Sequence, residues 1–358
     1  MIAATVHPGV QDSAPCQKTE DVIFFCGVSE HSWNHYPPAP GPYACVSPVY
    51  GNSSDRKRTT TPAIPVETQV LQDSGAFSDG PGTRLSIADA LRRQEAHAER
   101  SGYADQIAAR ASYDLLIDEM WREQETSGVQ VRQKRRWTEA AAEEAVAETV
   151  QAARYLSAHR NGLPCVLSAQ GVIPRQYLRC VQQIIPLLQG GDILGLGGFC
   201  VVGKCPAQML PIFRETMRVV MPLLGREGIA RVHVWGVMYA PALADLLWFA
   251  DQHGIRVSTD SMGPSVRPAL GRWGYANWCD WSYRSAPSLP PERETEANVA
   301  PVKAADGTCV LLPRVRGLHR AEQVRQVRAW LADFRHTPYY PATAPRWITE
   351  PSQLTLTG

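Results

Sequence analysis

What most constrains this chain is a repeating unit: a short apolar, often β-branched run, a polar or glycine-bearing turn, then a stretch long enough for an amphipathic helix. The runs are Asp21–Gly27, Glu67–Leu71, Tyr113–Ile117, Pro164–Ser168, Asp192–Leu196, Val232–Gly236 and Ile255–Ser258. Between them lie helix-length segments at Ser86–Arg100, Thr138–His159, Arg175–Leu188, Pro206–Leu224 and Ala240–His253. Gly190-Gly191 and Gly228 stand just past helix ends, where a left-handed residue stops a helix. Alternation of this kind predicts an α/β fold with a parallel sheet. One strand short of eight, the series favours a closed (β/α)8 TIM barrel, with an open doubly wound sheet as the alternative. The length of 358 residues holds such a barrel with additions. Residues 29–65, rich in Pro, Ser, Thr, Tyr and Asn, read as an N-terminal excursion or insertion. A helix over Ala321–Phe334 forms a short C-terminal extension, and 337–358 is a proline-containing tail. A single barrel domain over 1–336 is therefore expected.

Composition narrows the function classes. An apolar fraction of 44% and a charged fraction of 20% are those of a soluble globular protein. No apolar run approaches the ~20 residues of a membrane span. Met1 to Val10 lacks the basic start and apolar core of a secretory signal, so a cytoplasmic location is expected. Nine cysteines without CxxC pairs suit a reducing compartment better than a disulfide framework. With a formal net charge of +1, contact with nucleic acid must come from local patches. The best candidate is Arg132-Gln133-Lys134-Arg135-Arg136, which a solvated helix start would equally explain.

The chemistry gathers where the apolar runs end. In a barrel of this type the active site is built at the C-terminal ends of the strands. Those ends carry Asp73-Ser74-Gly75-Ala76-Phe77, Asp118-Glu119, Ala169-Gln170-Gly171, Gly197-Gly198-Phe199, Trp235-Gly236-Val237 and Asp260-Ser261. Each set is polar, glycine-bearing or aromatic, and together they converge on one mouth. Taken singly, Asp73 would pass as a turn cap and Asp260 as a helix N-cap. Trp235 would pass as interior packing, and Gly197-Gly198 as a plain turn.

The ordered series resembles the tRNA-guanine transglycosylase superfamily: a DSGGF-type loop, a strand-ending carboxylate, a QG turn, a glycine-glycine turn, an LMG-type turn and a late aspartate. The resemblance spans about Val66 to Gly274. Gly27-Val28-Ser29-Glu30-His31-Ser32-Trp33 and Val257-Ser258-Thr259-Asp260-Ser261-Met262 look closer to the phage and bacterial branch that inserts 7-deazaguanines into DNA.

The resemblance implies base exchange, with Asp260 as the nucleophile of a covalent intermediate and Asp73 as the acid and base for the departing and arriving purine. Exchange needs two such separated carboxylates, one ionised for attack and one able to carry a proton. The expected base pocket comprises Ser74, Phe77, Asp118, Gln170, Gly197, Gly198 and Trp235. Asp118 would accept from the ring N–H and amine, Gln170 and the Gly198 amide would address the carbonyl, and Phe77 and Trp235 would sandwich the ring. Trp235 stands where the family has a methionine. A duplex target must be unstacked first, so basic contacts from Arg132, Lys134, Arg135, Arg136 and Arg272 are expected near the mouth.

The tRNA enzymes hold a structural zinc on a CxCxxC cluster and a histidine. The corresponding Asn277-Trp278-Cys279-Asp280-Trp281 keeps one cysteine, so no zinc and no other cofactor is expected. A grouping of Cys16, Cys26, His31 and His35 is the alternative metal reading. Expected partners are DNA and the free 7-deazaguanine base. The alternatives are a tRNA substrate and a catalytically silent nucleic-acid-binding subunit.

Overall fold

The computed structural model describes residues 22–28, 41–48, 64–79, 84–115, 138–200, 202–203, 206–261, 299–303, 309–313, 324–325 and 327–349. Eight parallel strands close a barrel in chain order. They are β1 (Ile23–Val28), β2 (Tyr43–Val46), β3 (Gln69–Gln72), β4 (Ile107–Ala111), β5 (Cys165–Ala169), β6 (Ile193–Leu196), β7 (Arg231–Val234) and β8 (Arg256–Ser261). Pairing of β1 with β8, Phe25 opposite Asp260, makes the closure. The helices α1 (Ile87–Ser101), α2 (Glu139–Ala158), α3 (Pro174–Ile184), α4 (Pro206–Arg226) and α5 (Ala240–His253) surround it. The chain is thus a (β/α)8 TIM barrel.

Two expectations are corrected. The stretch 29–65 is not simply an excursion, because it contains β2, paired in register with β1 and β3. The fourth strand is Ile107–Ala111 rather than Tyr113–Ile117; Ser112 to Leu115 run on beyond its end, and 116–117 lie outside the described residues.

Side chains alternate across each strand, so one set packs outward on the helices and the other fills the barrel. Phe25, Cys45, Leu71, Ala109, Ala111, Val166 and Ile193 form the inner cluster, with Trp235 packed against it. The larger outer cluster joins β-strand faces to α2 through α5. Local signals set the helix limits: Ser86 caps α1 by accepting from Asp89 N–H, and Gly102 ends it at φ 72.

Residues 327–332 are helical, and Trp330, Leu331 and Phe334 are buried in the outer cluster. The chain beyond Phe334 is pinned to α5. Arg335 makes a two-pronged pair with Asp251 (2.8 and 2.7 Å), Tyr340 donates to the same carboxylate (2.6 Å), and Trp347 Nε1 donates to Asp245 (3.0 Å). A hairpin of β9 (Val299–Lys303) and β10 (Cys309–Pro313) was not expected from the sequence.

Candidate active site

Asp73 follows β3 by one residue. Period-two alternation puts it on the same inward face as Leu71, one layer nearer the mouth. Its loop is held from behind by α1. Gln94 Nε2 donates to the carbonyls of Asp73 (3.1 Å) and Ala111 (3.0 Å), tying the ends of β3 and β4 together. Arg93 donates to Ser74 O (2.8 Å) and pairs with Asp79, which also accepts from Tyr113 OH (2.6 Å). Ser74 is fully buried; its N–H donates to Asp73 Oδ1 (2.7 Å) and its hydroxyl accepts from Ala76 N–H (3.2 Å). The serine expected on the substrate is therefore spent on shaping the Asp73 turn. Gly75 takes φ 78, which its lack of Cβ permits.

Burial first, and the Asp260 charge after it, raise the Asp73 carboxyl above its ordinary value, against hydrogen bonds from Ser47, Ser74 and Gly75 that lower it. Asp260, on β8, sits on the same inward face as Ser258. Its Oδ1 accepts from Gly236 N–H (2.7 Å) and lies 3.3 Å from His233 Nε2. Among the described residues Oδ2 accepts no hydrogen bond. The Cys45 thiol is pushed up by burial, then by Asp260 and Asp73, which places it with the two carboxylates and keeps it protonated.

The third carboxylate is Asp114, three residues past β4. It accepts from Gln170 Nε2, and burial above all, with a further push from Asp73, raises it to about 6 despite that bond. Sequence reasoning missed it; the carboxylate chosen there, Asp118, lies outside the described residues. Gln170 is 1% exposed, and its Oε1 has no partner among the described residues. Placed this way, its amide presents an acceptor, where a donor had been expected. Gly197 makes room for it, since a Cβ there would stand 1.9 Å from Gln170 Nε2. Tyr177 OH donates to Gly197 O (2.8 Å), and Gly198 takes φ 80.

Trp235 lies across the barrel with Nε1 donating to Ser168 Oγ (3.0 Å). Gly195 permits this, because a Cβ would meet that indole nitrogen at 3.0 Å. Trp235 is thus both packed inside and partly open to the mouth. Phe77 is 67% exposed and touches no other ring among the described residues. His233, another residue missed from the sequence, stands edge-on to Trp235 and Phe25. Arg132, Lys134, Arg135, Arg136 and Arg272 lie outside the described residues. So do Cys279, on which the zinc expectation rests, and Cys16, His31 and His35.

The mouth thus joins three inward carboxylates, one facing a backbone amide, one raised beside it and one bonded to a buried amide, next to a partly open indole. Such a set can hold a flat polar ring, carry a proton and present an anionic oxygen. The sequence matches no protein-family model and no curated protein. Among solved structures it is similar to one described as the structure of L-ribulose 3-epimerase, at 10% identity and a TM-score of 0.33, over 90% of this chain and 99% of that one. At this level the two share an architecture at most, and function rests on the residues of the mouth. No described helix is long and apolar enough to cross a membrane.

Proposed function

We propose that the chain is a pentosyl-transferring enzyme that exchanges guanine in DNA for a 7-deazaguanine such as 7-cyano-7-deazaguanine. The observation that carries this reading is the Asp73–Asp260 pair. Of two inward carboxylates from β3 and β8, Asp73 has its proton affinity raised by burial and by the Asp260 charge, and Asp260 has Oδ1 engaged by a backbone N–H. That is the division of labour base exchange requires. Asp260 Oδ2 attacks the anomeric carbon as its bond to guanine breaks, and the electron pair leaves with the purine, which takes a proton from Asp73. The incoming base returns its proton to Asp73 as its ring nitrogen bonds the anomeric carbon, and the ester pair goes back to Asp260.

Asp114 takes the recognition role first assigned to Asp118, accepting from the purine ring N–H and amine. Gln170 Oε1, buried without a donor, gains one when the base arrives. The Gly198 N–H meets the carbonyl oxygen, and Trp235 supplies a ring face, worth about 1–3 kcal/mol per base in stacking. The preference for DNA comes from the sequence around Asp260 and the single cysteine at 277–281.

The test is incorporation of isotope-labelled 7-cyano-7-deazaguanine, read by nucleoside mass spectrometry, into duplex DNA and into tRNA in parallel. Label in DNA alone is expected. Label in tRNA alone would move the reading to the tRNA enzymes, and label in neither would overturn base exchange.

A further inference from the structure

Resting on the exchange reading, we propose that His233 is a positioning residue for Asp260. Its imidazole N–H holds Oδ1 so that Oδ2 meets the anomeric carbon, and it steadies the carboxylate when the ester breaks. The inside of such a barrel is ordinarily filled by branched apolar side chains. His233 is fully buried there. Its ring is edge-on to Phe25 at 5.9 Å and Trp235 at 4.3 Å, neighbours that satisfy neither nitrogen. Nδ1 lies 3.0 Å from Ser258 Oγ. Nε2 has no aligned hydrogen-bond partner among the described residues, and the group it faces is Asp260 Oδ1, 3.3 Å away.

Proton placement follows from what each atom can do. A bare Nε2 lone pair against a carboxylate oxygen is repulsive, and burial magnifies the repulsion. An N–H there is attractive. The Ser258 hydroxyl, 3.2 Å from Val232 O, can turn its proton to Nδ1 instead. With Nε2–H toward Asp260 and Nδ1 accepting from Ser258, each ring nitrogen has a polar neighbour of the right kind, in a relay from Ser258 through His233 to Asp260. Oδ1 then faces two donors, Gly236 N–H and His233 N–H, and Oδ2 is the oxygen left for bond formation. In the second step the ester C–O bond breaks and its electron pair returns to Asp260. Negative charge grows on the group the two donors face, so preorganised donors favour that step. The off-line geometry tightens as the carboxylate shifts onto the sugar.

Two measurements on the full chain test this. Imidazole 15N NMR, with the His233 signals assigned by their loss in His233→Gln, is expected to show Nε2–H, and to shift in Asp260→Asn. An Nδ1–H tautomer with bare Nε2 would overturn the link, and this readout needs no turnover. In kinetics, His233→Phe keeps the ring contacts and is expected to lower kcat by about 10²-fold, with covalent adduct accumulating, KM for the oligonucleotide falling in step and free-base affinity unchanged. His233→Gln, which restores a donor, is expected to recover most of that loss. Unchanged kcat in the Phe variant, or a Gln variant no better than it, would overturn the role. A wild-type chain that exchanges nothing would sink the exchange reading and the kinetic role with it. The tautomer would still decide the His233–Asp260 link.

Discussion

Replacing Asp114 by Asn should make the protein more stable while impairing its pocket. The Asp114 carboxyl is raised from 3.8 to about 6, chiefly by burial. At about 1.4 kcal/mol per pKa unit, that shift costs the folded state about 3 kcal/mol once the group is ionised, and the partial opening of the mouth trims it to about 2. Asn keeps the oxygen that accepts from Gln170 Nε2 but carries no charge to desolvate. Because the folded value lies above the unfolded one, the native protein binds this proton more tightly than the unfolded chain. Stability is therefore lost as pH rises from about 4 to about 6, and the full penalty stands above that window. Urea unfolding of wild type and Asp114→Asn at about pH 4 and about pH 8 reads it directly. The variant should match wild type at the lower pH and exceed it by about 2 kcal/mol at the higher. Free-base binding by calorimetry should weaken, since a carboxylate able to accept twice has been replaced by an amide with one acceptor. A variant no more stable than wild type at about pH 8, or an advantage equal at both pH values, would refute the reasoning.

Other consequences stem from the same geometry. Asp73→Asn should cut the exchange rate by about 10²–10⁴-fold with the fold intact, the usual range for a general acid and base; unimpaired release of guanine would reduce Asp73 to a turn cap. Gly197→Ala should displace the buried Gln170, because the new Cβ would stand 1.9 Å from its Nε2, costing about 1–3 kcal/mol in stability and most of the purine affinity. Calorimetry of the free base checks it, and retained affinity would mean that Gln170 does not read the base. Replacing Arg132, Lys134, Arg135 and Arg136 by Gln should flatten the salt dependence of DNA binding, by roughly 0.9 in log–log slope per lost phosphate contact. An identical slope would return that run to a solvated helix start.

The strands legible in the sequence are those whose helix-facing side is apolar, as Cys165, Leu167, Leu194, Leu196, Val232, Val234 and Val257 are in the outer cluster. CVLSA, ILGL and RVHV fall within two residues of the expected runs, and RVSTDS within three. β2 escaped because the prolines, glycines and serines around YACV dominate the window. β4 escaped because IAARA carries an arginine. Arg110 is buried yet satisfied, donating to Gln72 Oε1 (2.8 Å) and pairing with Glu95 (3.2 Å), a compensation between distant residues that no local pattern reveals. The more apolar YDLLI drew the assignment downstream, which put Asp114 inside the expected strand and Asp118 at its end. The strand-end positions of Asp73, Gln170, Gly197 and Asp260 were readable because their turns carry glycines or short polar motifs. His233 was not, because a histidine inside an apolar strand shows its partners only after β7 and β8 pair.

The most direct test of the central claim is intact-protein mass spectrometry after incubation with a guanine-containing DNA oligonucleotide, followed by peptide mapping. Base exchange through Asp260 predicts an adduct lacking one guanine, mapped to the Asp260 peptide, discharged by added 7-cyano-7-deazaguanine and missing from a folded Asp260→Asn variant. Label exchange without any adduct, or an adduct that persists in Asp260→Asn, would contradict it.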